Sequence, residues 1–89
     1  MNTAQKGKVR VFARRKARHL VEKYYAEVVY GSASDYSEKM LRVFKIKAKT
    51  CALTVVDDVL LTLNRIEYTS EIADEIDYWQ EIKQEIENL

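Results

Sequence analysis

Between Tyr36 and Ile66 the chain contains neither glycine nor proline, and apolar residues return every three or four positions, at Leu41, Phe44, Ala48, Cys51, Val55, Val59 and Thr62 or Leu63. That spacing lines side chains along one face of a helix, whereas a half-buried strand alternates every second residue. The second half of the stretch adds Leu53, Val56, Leu60 and Leu61 on other faces. A helix this apolar needs cover from more than one side. At about 1.5 Å per residue it is roughly 45 Å long, more than a compact monomer of this size spans. The expectation is therefore flanking helices packed on it, and another copy of the chain beyond them.

The flanks supply those helices. From about Val9 to Tyr30, Phe12 or Ala13, Ala17, Leu20, Tyr24 and Val28 form one stripe, with Val21, Tyr25 and Val29 beside it. Residues 1–8 are poor in apolar side chains and read as a flexible basic arm. Gly31 ends the first helix, Gly31 to Ser34 is a short connector, and Asp35 with Glu38 can cap the central helix reciprocally. After Glu67, Tyr68-Thr69-Ser70 supplies a turn and an N-cap, and Glu71, Asp74 and Glu75 suit the positive end of a third helix. That helix carries a seam at close to heptad spacing: Ile72, Ile76, Trp79, Ile82 or Lys83, Ile86 and Leu89. The chain thus reads as one all-α domain over residues 1–89. It is a three-helix antiparallel hairpin bundle with a long central helix, at about 9–30, 36–66 and 71–88, assembling as a homo-oligomer. A histone-like arrangement is the alternative, disfavoured by the long outer helices and short connectors.

Composition narrows what such a bundle can do. Eighty-nine residues hold a marginal core without staples or self-association. A single cysteine permits no intrachain disulfide, and no Cys/His cluster has zinc spacing, so neither metal nor cofactor is expected. A lone thiol suits a reducing cytoplasm, and no apolar run is long enough for a signal peptide or a membrane span. The net charge of +1 hides a polarity. Residues 1–23 carry eight Lys or Arg against one Glu, and residues 71–89 seven Asp or Glu against one Lys. One end is cationic and the other anionic.

The cationic end holds the sharpest candidates. Arg14, Arg15 and Arg18 lie within about one helical turn, preceded by Lys6, Lys8 and Arg10, while Lys39, Arg42, Lys45, Lys47 and Lys49 form a row on the central helix. An antiparallel pair turning about Ser32 and Ala33 brings Arg18 near Lys47 to Lys49, and Lys23 near Arg42 to Lys45. Arg14, Arg15, Arg18, Lys45 and Lys49 are the candidate phosphate ligands, and Tyr24 and Tyr25 the candidate stacking platform for a base. The competing reading is neutralisation by the third helix, whose Glu85 and Glu87 come level with Arg14 and Lys49. Tyr24, Tyr25, Tyr30 and Tyr36 equally suit packing at a helix hairpin.

Catalytic chemistry is not visible. Asp57 and Asp58 point about 100° apart on a helix and cannot act as a close dyad; one should face water and the other meet Arg65, Lys83 or a symmetry mate. His19 has no nucleophile beside it, and Cys51 reads as a small buried apolar residue. A non-enzyme is expected.

Two segments carry a resemblance. Lys47-Ala48-Lys49-Thr50-Cys51-Ala52-Leu53 with Val56-Asp57-Asp58-Val59-Leu60, and the ending Tyr78-Trp79-Gln80-Glu81-Ile82-Lys83-Gln84-Glu85-Ile86, resemble small uncharacterised helical proteins of bacteriophages. The likeness covers residues 47–89. It implies a short list of tasks in the cytoplasm of an infected cell. The first is sequestering a nucleotide signal of host immunity, as oligomeric phage sponge proteins do between subunits. The others are binding nucleic acid, or docking the Trp79 seam on a host protein. The leading expectation is the nucleotide-binding, anti-defence protein.

Overall fold

The computed structural model describes residues 3–29 and 35–89, with side chains from residue 7 onward. Among the described residues the chain forms three helices and no strand: α1 (Thr3–Val28), α2 (Glu38–Arg65) and α3 (Ser70–Glu87). The expected connector, Gly31 to Ser34, lies outside the described residues, as does Tyr30.

α1 begins ahead of the expected Val9, so most of the segment read as a flexible arm belongs to the helix. The reason is local. Ala4, Gln5, Lys6 and Lys8 are good helix formers, and an internal glycine such as Gly7 costs only about 1 kcal/mol. The cap of α2 also differs from the expected Asp35 and Glu38 pair. Ser37 is the N-cap, and its side chain accepts the Met40 backbone N–H at 3.2 Å. Glu38 thereby becomes the first helical residue, where a carboxylate still favours the positive end of the helix. At the second turn, Thr69 caps α3 and accepts the Ile72 N–H at 3.2 Å.

The core is built from Ala13, Ala17, Leu20 and Val21 of α1, Ala48, Ala52 and Val56 of α2, and Ile82 and Ile86 of α3. Alanines at the contact let the helix axes approach closely, and the isoleucines fill the space between them. The buried stripe on α2 is displaced by one position from the expected Cys51 and Val55. Cys51 is exposed, which corrects its reading as a core residue. Because α1 and α3 approach α2 from two sides, its inward direction bisects them. Ala48, Ala52 and Val56 lie on that bisector, and Leu53, Val55, Val59 and Leu60 become half-buried flanks.

Charge pairs report the helix directions. Arg10 meets Glu81 at 3.5 Å and Arg14 meets Glu85 at 3.4 Å, each partner four residues further on, so α1 and α3 run parallel. Lys83 donates to Asp57 at 2.9 Å, while Lys49 donates to the Glu87 carbonyl at 3.4 Å, so α2 and α3 run antiparallel. α3 is the shortest helix and ends at Glu87, near the level of Arg14 and Lys49. Beyond that level α1 continues to Val28, roughly 21 Å further at 1.5 Å per residue. The bundle is three helices thick at one end and two at the other, within overall extents of 49 × 29 × 16 Å.

Candidate functional site

At the two-helix end, Val21, Glu22 and Tyr25 of α1 stand across from Leu41, Arg42 and Lys45 of α2, and enclose a cleft of about 400 Å³. Its position follows from helical periodicity. Val21 and Tyr25 continue, by steps of seven and four, the row of α1 that at Arg10 and Arg14 meets α3. Lys45 and Arg42 continue, by steps of four and three, the row of α2 that at Lys49 meets the last turn of α3. The cleft is therefore the prolongation of the groove that α3 fills lower down. Where the third helix stops, the groove stays open.

The walls of the cleft are almost wholly apolar, from Val21, Leu41, the Tyr25 ring and the aliphatic stems of Glu22, Arg42 and Lys45. The cleft is open to solvent, and its volume falls in the range of roughly 300–1,000 Å³ typical of small-molecule sites. Arg42 offers a planar fork and Lys45 a mobile ammonium to an anion. Glu22 offers acceptor oxygens to an amine or hydroxyl.

The candidate phosphate and base ligands divide. Tyr25 and Lys45 come together in the cleft. Arg14 is engaged by Glu85, and Lys49 is drawn to the C-terminal carbonyl of α3, where the helix dipole favours a cation. Arg15 and Arg18 are exposed on α1 and make no ion pair among the described residues. Tyr24 packs against the core, with the Lys23 ammonium 5.7 Å from its ring centre. Tyr36 packs edge-on against Phe44 at 5.1 Å, a structural use of an aromatic near the hairpin end. Arg42 was read from sequence as part of the cationic row of the central helix but not as a candidate phosphate ligand, and Glu22 was not singled out. The signal for Arg42 was its place three residues before Lys45 on the same face.

The α3 seam also divides. Ile86 is fully buried, Trp79 packs against the core, and Ile72 and Ile76 are half-buried, so much of this row holds α3 to its own chain. Trp79 stacks edge-on with Tyr78 at 6.0 Å. Asp57 and Asp58 are both exposed, with Asp57 held by Lys83. Among the described residues, no group of three or more His, Cys, Asp or Glu is placed to hold a metal, and no helix is long and apolar enough to cross a membrane. No protein-family model matches this sequence, no curated protein is similar to it, and no solved structure matches its fold.

Proposed function

We propose that this chain is a non-enzymatic binding protein whose hairpin cleft takes up a small phosphate-bearing nucleotide. The observation that carries the reading is the convergence of Tyr25, Arg42 and Lys45 on one apolar-walled cleft. In this reading Arg42 and Lys45 meet the phosphate, the Tyr25 ring packs on the base, and Glu22 accepts from an amine or sugar hydroxyl. Arg14 and Lys49, engaged by α3, hold the groove beneath the ligand rather than the ligand itself. Signalling nucleotides of host immunity, which the expected likeness to small helical phage proteins implies, are the first ligands to test, with the protein proposed as their trap. Calorimetry with mononucleotides and cyclic di- and trinucleotides is the test. Binding that is lost in Lys45→Glu and Tyr25→Ala, with helicity unchanged, supports the reading, and an absence of heat with the whole panel rejects it.

A second reading, binding to nucleic acid, is favoured by one observation, the exposed Arg15 and Arg18 on the outside of α1. It calls for affinity that grows with strand length and falls steeply with salt. The acidic α3 beside the basic rows weighs against it.

A further inference from the structure

The side of α2 turned away from both neighbours carries an ordered row. Val43, Lys47, Thr50, Thr54, Asp57 and Leu61 follow one another at steps of four, three, four, three and four, and all are exposed. This is the heptad spacing of a helix-pairing seam, on a face that the rest of the bundle reaches only through Lys83 of α3, at Asp57. Val43 is 42% exposed and Leu61 54%. At the centre, the Thr50 hydroxyl donates to the Ile46 carbonyl at 3.0 Å and the Thr54 hydroxyl to the Thr50 carbonyl at 2.9 Å. Both hydroxyls are satisfied within the helix, so covering this face strands no donor, and two small side chains permit close approach.

We infer that this face binds a second copy of the chain, α2 against α2, antiparallel about a two-fold axis between Thr50 and Thr54. The row is complementary to its own reverse. Turned end for end about that axis, Val43 of one copy meets Leu61 of the other, Lys47 meets Asp57, and Thr50 meets Thr54. A two-fold contact makes every such match twice. The parallel alternative sets Lys47 against Lys47 and Asp57 against Asp57, and like charges across an interface exclude it. Asp57 already accepts from Lys83 at 2.9 Å, and a carboxylate has acceptor sites left for a second cation. The contact runs along roughly 27 Å of helix at 1.5 Å per residue. It lies across α2 from the hairpin cleft, so pairing leaves the cleft open. The assignment is independent of what the cleft binds.

The test is sedimentation velocity of the full chain over a range of concentrations, with the exposed Cys51 as a native reporter beside the axis. The expected result is a monomer–dimer equilibrium in which a short bismaleimide joins Cys51 of one copy to Cys51 of the other. Lys47→Asp should weaken dimerisation at least about tenfold by setting like charges opposite. Adding Asp57→Lys to that variant restores the pair in reverse and should recover the dimer. Thr54→Arg, at an exposed helical position, should yield a monomer of unchanged helicity. A monomer at every concentration overturns the inference. So does a dimer indifferent to Lys47→Asp and Thr54→Arg, or one that the Cys51 reagent fails to link.

Discussion

Arg14 and Glu85, 71 residues apart in sequence, meet at 3.4 Å and fix α1 beside α3. The pair is asymmetric: the Arg14 side chain is 55% exposed and that of Glu85 only 13%. An exposed arginine loses little when its partner goes, but a mostly covered carboxylate left alone loses more. We therefore expect Arg14→Ala to destabilise more than Glu85→Gln, with a coupling of about 0.5–1 kcal/mol in a double-mutant cycle followed by urea denaturation. Raising the salt concentration should shrink the coupling.

Ile82 is fully buried at the meeting of the three helices, while Cys51, which the apolar rhythm of α2 placed in the core, is exposed. Ile82→Ala should cost about 2–5 kcal/mol through lost burial and a cavity. Cys51→Ser should stay within about 0.5 kcal/mol of the parent. Equal losses in denaturant unfolding would contradict the displaced stripe.

Gly7 sits inside α1, and a Cβ placed on it meets nothing within 4 Å. Gly7→Ala should raise stability by about 0.5–1 kcal/mol, because alanine has less freedom to lose on entering a helix. A flexible segment there would show no gain. Thermal unfolding of the single variant separates the two.

Alkaline pH should weaken the bundle. The hydrogen bond to Asp57 and the charge of that carboxylate hold the Lys83 proton beyond its ordinary value of 10.5, against a smaller opposing effect of desolvation, with Glu87 adding to the rise. Burial, then the charge of Glu75, raises Tyr78 above its ordinary 10.0. Both groups bind their proton more tightly when folded. Their contribution is complete below the ordinary values and is lost as pH rises through the raised ones. Unfolding free energy measured in urea should therefore be level near pH 8 and decline above about 10. Tyr78→Phe should remove part of the slope.

Much of this architecture was legible in the sequence because the signals were local. Thr69 stood where a cap was needed, and the charge polarity of the two ends, combined with helix register, placed Glu85 near Arg14 and Glu87 near Lys49. The inward face of α2 was not legible. With apolar residues on every side of that helix, periodicity identified a helix but not its direction of burial, which only the positions of both neighbours decide. The start of α1 was missed because a polar composition was taken for disorder, although its residues are good helix formers. The cleft depends on a difference in length, α3 ending near Lys49 while α1 and α2 run on. No single residue encodes that, which is why Tyr25 and Lys45 were marked as candidates but Arg42 and Glu22 were not.

The short reach of α3 sets a gradient of rigidity along the molecule. Amide protons flanked by three helices open only with the whole fold, whereas those from Val21 to Val28 and from Glu38 to Lys45 rest on a single neighbouring rod and should exchange sooner. A guest bound in the groove, as proposed above, would take over the office of the absent helical turns. Its arrival should slow deuterium uptake at the hairpin end well before any change of shape is seen.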